Sequence, residues 1–240
     1  MDLDNQVAAV VVGGSSGIGL ATAQALAAAG ARVIATGRDA GKLRNAVGGL
    51  GERVTGEVFD CRDRTIADAF FRRVGPFDHL VLAASGGEGA GEFAKLDLQA
   101  LRRGFDAKFW PQIEAAQASL ATLRRGGSIT FVTAISARIA NPGTAGLGAI
   151  NGAIEAMLGT LARELKPTRV NAVSPGVVDT PWWNQVPADF KERVFREQRE
   201  TLPAGRVGRP QDIAHAVRFL VENSFMTGAV IECDGGMRLL

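Results

Sequence analysis

The 240-residue chain contains no tyrosine, so no phenol serves anywhere in it as an acid, a base or a hydrogen-bond donor. Cysteine is nearly as scarce. Cys61 and Cys233 are too few for a disulfide framework, and a reducing, cytoplasmic setting is the expectation. Both cysteines stand alone, and the two histidines, His79 and His215, have no partner at metal-ligand spacing, so no metal is expected. His79 follows Asp78 and reads as a surface residue; His215 reads as a structural residue on a helix. An excess of charge is also missing. Lys and Arg total 27 against 25 Asp and Glu, a net of +2, which gives no argument for nucleic acid or an anionic membrane as partner. The doublets Arg72–Arg73, Arg102–Arg103 and Arg124–Arg125 read as solvated helix faces and ends. Residues 7–31 carry no charge, but Gly13, Gly14, Ser15, Ser16, Gly17 and Gly19 break them up, so no membrane span is expected. Met1–Asn5 is acidic where a signal peptide needs positive charge.

What is present is a globular composition, 46% hydrophobic and 22% charged, in a length that suits one large domain. Short β-branched runs recur at Val7–Val12, Arg32–Thr36, Val54–Phe59, His79–Ala84, Ser128–Thr133, Arg169–Val173 and Ala229–Glu232. Helical stretches separate them: Ile18–Ala29, Arg62–Val74, Leu98–Leu123, Ala149–Leu165, Phe190–Glu200 and Gln211–Val221, with Asp39 as a candidate cap for one more. Nearly continuous apolar strands alternating with longer helices predict a parallel sheet covered on both faces. The expected architecture is a single doubly wound, Rossmann-type α/β domain over residues 1–240, with about seven strands.

Gly13-Gly14-Ser15-Ser16-Gly17-Ile18-Gly19 follows the first strand and opens the first helix. The chain must turn sharply there, and residues without a Cβ let a pyrophosphate approach the amides of a helix N-terminus. With this loop the chain resembles the short-chain dehydrogenase/reductase family, over essentially its whole length. The loop matches at Gly13, Gly17 and Gly19, with Val12 where Thr is usual. Asp60, beside Cys61, matches the family's adenine-binding acid. Ser174 to Thr180, containing Pro175, Gly176 and Val178, matches the segment lining the nicotinamide. Gly205–Ala214 and Thr227–Gly236 are also family-like. The resemblance implies a dinucleotide held by Gly13, Ser15, Ser16, Gly17, Ile18, Gly19, Arg38, Asp60, Cys61, Ala84, Asn151, Pro175, Gly176, Val178 and Thr180. At the end of the second strand, Gly37 stands where NAD-preferring proteins carry an acid, and the Arg38 guanidinium suits a 2′-phosphate. NADP(H) is therefore expected in preference to NAD(H), with Asp39 left either as a helix cap or as a ribose contact.

The resemblance breaks at the catalytic positions. The family's Ser, Tyr and Lys positions fall on Ala134, Leu147 and Asn151, and its Asn position falls on Lys108. The Asn–Lys exchange suggests that Lys108 holds the ribose or supplies a proton; alternatively it points to solvent and the exchange is coincidence. Thr133 and Ser136 are the nearby hydroxyls. Trp182 and Trp183 lie in the segment matching the family's substrate lid, where they either wall a pocket or pack on the following helix. Two functions remain open: an NADP(H)-dependent oxidoreductase with altered proton delivery, acting on a small molecule, or an inactive NADP-binding sensor or structural subunit. The apolar C-terminus, Met226–Leu240, is similar to family segments that pack across a two-fold axis, which implies a homo-oligomer, tetramer or dimer.

Overall fold

Strand β1 (Ala8–Val12) feeds two cores at once. Val10 and Val12 enter one, Ala9 and Val11 the other, because successive side chains leave opposite faces of a strand. This is a computed structural model, and it describes residues 8–240. Val7 and the acidic Met1–Asn5 stretch lie outside the described residues. After β1 come α1 (Gly17–Ala28), β2 (Arg32–Gly37), α2 (Ala40–Val47), β3 (Val54–Val58), α3 (Arg64–Val74) and β4 (Phe77–Leu82). The second half holds α4 (Leu98–Ser119), β5 (Leu123–Val132), α5 (Ala145–Glu164), β6 (Arg169–Pro175), α6 (Ala188–Thr201), α7 (Pro210–Glu222) and β7 (Val230–Cys233).

The seven strands pair in the order β3-β2-β1-β4-β5-β6-β7, all parallel, as expected of a doubly wound fold. Helices α3, α4 and α5 cover one face; α1 and α7 pack together over the other. The chain reverses its direction of winding between β1 and β4. The loops following those strands therefore diverge and leave a crevice at the carboxyl edge. Under α3 the core is aromatic: Phe59 stacks on Phe70 at 4.2 Å, and Phe71 meets Phe77 at 5.7 Å. Helix α5 is long and apolar enough to cross a bilayer by composition, yet Ile154 and Leu158 seat it in this core.

Three expectations need correction. The helix predicted over Leu98–Leu123 stops at Ser119, and β5 begins at Leu123, pairing with Phe77 before the register shifts to His79–Ser128. Gly127 permits that shift, since a Cβ there would lie 2.1 Å from the Asp78 carbonyl oxygen. Arg124–Arg125 consequently sit on a strand, with Arg124 paired to Asp78 at 2.8 Å. His79 is buried, not superficial. It lies on a central strand covered on both faces, bonds Ser128 Oγ through Nδ1 at 2.9 Å, and burial lowers its pKa to about 4. His215, expected to be structural, projects into solvent from α7.

Candidate active site

The glycine loop closes on itself by close backbone approach. A Cβ on Gly19 would stand 2.2 Å from Gly13 O, and one on Gly13, whose φ is +84°, would meet the Ala83–Ala84 backbone at 2.8 Å. The N-cap of α1, Ser16, makes no side-chain cap, so the first-turn amides keep no protein acceptor from it. Gly17 faces Thr180, with a Cβ there only 3.3 Å from the Thr180 side chain. Thr180 ends the segment that leaves β6 through Pro175 and Gly176, and Gly176 packs on Asp234 too closely to admit a Cβ. Sequence-predicted residues from both halves of the chain thus converge on one crevice.

At the far end of the crevice, Phe59 N donates to Gly37 O at 3.1 Å, which sets the turns after β2 and β3 side by side. Arg38 is exposed there without a hydrogen-bond partner among the described residues. Asp39 caps α2 by accepting from Lys42 N at 2.9 Å. Arg62 holds Asp60 in a bidentate pair and, with its backbone amide, keeps the carboxyl below its usual pKa. Burial pushes the Cys61 thiol up to about 11, so it stays protonated.

The middle of the crevice is built where α4 meets the ends of β4 and β5. Lys108 is buried, which excludes the solvent-facing alternative, and Nζ donates to Thr133 O at 3.0 Å. Burial lowers its pKa to about 8, opposed by the nearby Glu155 carboxylate. An ammonium has three N–H bonds, and Thr133 O is the one acceptor found for Lys108 among the described residues. One turn on, Gln112 Nε2 donates to Ala84 O at 2.8 Å and Val132 O at 3.3 Å. Thr133 Oγ1 lies 2.7 Å from Glu155 Oε1 and 3.2 Å from Val173 O, so its hydroxyl hydrogen is used inside the core. Glu155 also accepts from Arg138 Nε at 2.9 Å. Neither Gln112 nor Glu155 was anticipated. Each lies one helical turn from a singled-out residue, Lys108 or Asn151, and that i,i+4 spacing was the available signal.

Asn151 forms a second group. Its Nδ2 donates to Ser136 Oγ at 3.1 Å and to Leu147 O at 2.9 Å, while Oδ1 is buried without a partner among the described residues. Ala134 precedes the single turn Ile135–Ala137, which carries Ser136. A cavity of about 500 Å³ opens here, lined by Ser136, Ile139, Asn141, Thr144, Glu92 and Phe93 among others. Of the candidate catalytic residues, Ser136 is the one that reaches it. Ser136 Oγ accepts from Asn151, which leaves its O–H free to donate. The two tryptophans make different contacts, and the packing alternative holds for Trp183. Trp182 Nε1 reaches across to Gly86 O at 3.1 Å, bridging to the loop after β4, whereas Trp183 packs edge-on against Phe195 of α6 at 5.1 Å.

Comparison with known proteins agrees with this geometry. A family model described as enoyl-(acyl carrier protein) reductase matches residues 12–238. An uncharacterized oxidoreductase of Methylorubrum extorquens is 35% identical over 245 residues, covering 96% of this chain and 97% of that protein. Among solved structures, a small-chain dehydrogenase in complex with NADPH superposes with a TM-score of 0.84 at 33% identity, over 98% of this chain and 100% of that one. A short chain oxidoreductase from Pseudomonas aeruginosa PAO1, described as containing an atypical catalytic center, gives 0.87 at 29% identity over 98% of each chain. With its glycine loop, its seven parallel strands and these relatives, the chain belongs to the short-chain dehydrogenase/reductase family of oxidoreductases.

Proposed function

We propose that the chain is an NADP(H)-dependent oxidoreductase whose proton delivery rests on Lys108 and Ser136 in place of the family's Tyr and Lys. The observation that carries this is the buried Lys108 ammonium with one acceptor found for its three donors, in a chain without tyrosine. The residues fit a bound dinucleotide. The start of α1, which has no side-chain cap from Ser16, suits a pyrophosphate at Ser15, Ser16 and Ile18, and Asn151 Oδ1, without a partner among the described residues, suits a ribose hydroxyl. Arg38, Asp60 and Cys61 would border the adenosine half, and Ala84, Pro175, Gly176, Val178 and Thr180 the other end. The relative solved with NADPH supports the choice of cofactor.

When bound, NADPH supplies the hydride. Ser136 holds the substrate oxygen from the cavity wall through its free O–H, and Asn151 keeps that hydroxyl oriented. Lys108 stays mostly protonated at neutral pH, so it stores a proton and offsets negative charge developing near the end of β5. Ala134 and Leu147 carry no side-chain donor, which leaves simple ketones poorly served. Substrates that accept hydride with little protonation, such as iminium ions or activated alkenes, suit the site better. NADPH consumption against ketone, iminium and alkene panels, with Lys108→Met beside the unmodified protein, tests the reading. Lost turnover with NADPH affinity kept within a few-fold supports it; unchanged turnover refutes the role of Lys108.

A second reading, an NADP-binding sensor or structural subunit without redox chemistry, draws on the commitment of Thr133 to Glu155. Tight NADPH binding with no turnover on any panel would favour it.

A further inference from the structure

We propose that Arg62, which pairs with Asp60, is a second reader of the NADP(H) 2′-phosphate and turns from the carboxylate to the phosphate when that cofactor binds. This rests on the NADP(H) reading above. Asp60 is fully engaged by one neighbour. Oδ1 accepts from Arg62 N at 3.1 Å and Nε at 2.9 Å, while Oδ2 accepts from Nε at 3.1 Å and the terminal nitrogen at 2.5 Å. An adenine amino group therefore meets a carboxylate whose two oxygens are both covered.

Arg38 stands at the same corner. Its charge acts on both Asp60 and Cys61, as does that of Arg62. Two guanidiniums thus flank a single carboxylate, and Asp39, the other acid in the turn, is committed to capping α2. A 2′-phosphate brings close to two negative charges, which both guanidiniums are placed to meet.

Asp60 alone holds the Arg62 side chain among the described residues, and that side chain is 53% exposed. Turning from carboxylate to phosphate exchanges one charge-assisted, fork-shaped contact for another. Asp60 keeps its bond from Arg62 N, so its orientation survives, and Oδ2 becomes available to accept from the adenine amino group. The same movement thus completes two ligand contacts. NADH offers no phosphate to receive Arg62, so its adenine has to compete with the guanidinium for Asp60. Discrimination between the cofactors is thereby built into both arginines.

The test uses two probes that differ only in the phosphate: adenosine 2′,5′-bisphosphate and adenosine 5′-monophosphate. Calorimetric titration of the unmodified protein, Arg62→Gln, Arg62→Lys and Arg38→Gln gives the affinities. Arg62→Gln is expected to weaken the bisphosphate about tenfold or more. The monophosphate should bind equally or more tightly once Asp60 is uncovered, and Arg62→Lys should recover part of the loss. An unchanged bisphosphate affinity in Arg62→Gln, or an equal loss for both probes, overturns the inference. Failure of the NADP(H) reading has a different signature: the unmodified protein would not prefer the bisphosphate, and Arg38→Gln would alter neither probe.

Discussion

Replacing Lys108 by Met should make the protein more stable while disabling it. Burial holds the Lys108 pKa at about 8 instead of 10.5. A displacement of that size corresponds to about 3 kcal/mol of folding free energy spent on keeping the amine charged at neutral pH. Methionine keeps the length and removes the charge. It also removes the donor to Thr133 O, which returns roughly 1 kcal/mol of the gain. The net expectation is a stabilisation of about 2 kcal/mol at pH 7, or a rise in Tm of roughly 4–8 °C for a domain of this size. The sign with pH follows from proton counting. Between pH 8 and 10.5 the unfolded lysine stays protonated while the folded one does not, so stability of the unmodified protein rises with pH across that window. In Lys108→Met this rise should vanish. Guanidinium denaturation followed by circular dichroism from pH 7 to 10.5, taken as the difference between the two proteins, isolates it, and no tyrosine titrates in the same range. A lower Tm for the variant, or a flat difference curve, would refute the picture of a lysine retained at the expense of stability.

His79 predicts an acid limb of similar size. Its folded pKa of about 4 lies below the ordinary 6.5, so the neutral ring's contribution is lost as pH falls from 6.5 toward 4, by about 3 kcal/mol in total. His79→Gln should flatten that limb, and an unaltered pH profile of the denaturation midpoint would contradict it. Gly37→Asp with Arg38→Ala should reverse the preference for NADPH over NADH in fluorescence titration. A Cβ at position 37 would sit 3.0 Å from Ser15 Cβ and Oγ, so adding Ser15→Gly should sharpen the reversal. Tighter NADH binding by the unmodified protein would defeat the reasoning. Light scattering at micromolar concentration should give a tetramer or dimer, since Phe225, Leu239 and Leu240 stand exposed near the C-terminus; a monomer is the contrary result.

The fold was legible because its signals are local. Val10 and Val11 read as a buried strand whichever core they enter, and the Gly13–Gly19 spacing reports a backbone constraint that no distant residue alters. His79 was misread because a polar pair, Asp78–His79, resembles a surface turn. Its burial comes from strands β1 and β5 on either side, which only the assembled sheet supplies. The end of α4 was missed for a related reason: Leu120 and Leu123 continue its apolar pattern, while the pairing of Leu123 with Phe77 claims that stretch for the sheet. At the site, the direction of Lys108 could not be told from its helix alone. The Glu155–Thr133 contact joins residues from α5 and the end of β5, and no spacing in the chain announces it.

Trp182 carries a consequence for observing the protein at work. Its indole N–H bridges to Gly86 O across the crevice, and its ring meets Trp183 edge-on at 5.0 Å. Any parting of the loop after β4 from the segment after β6 must break that bridge and change the polarity around the ring. With tyrosine absent, near-ultraviolet emission comes almost wholly from three tryptophans, of which Trp182 makes this bridge and Trp183 touches it. Intrinsic fluorescence therefore reads the bridge, and Trp110, exposed on α4, provides a reference away from it.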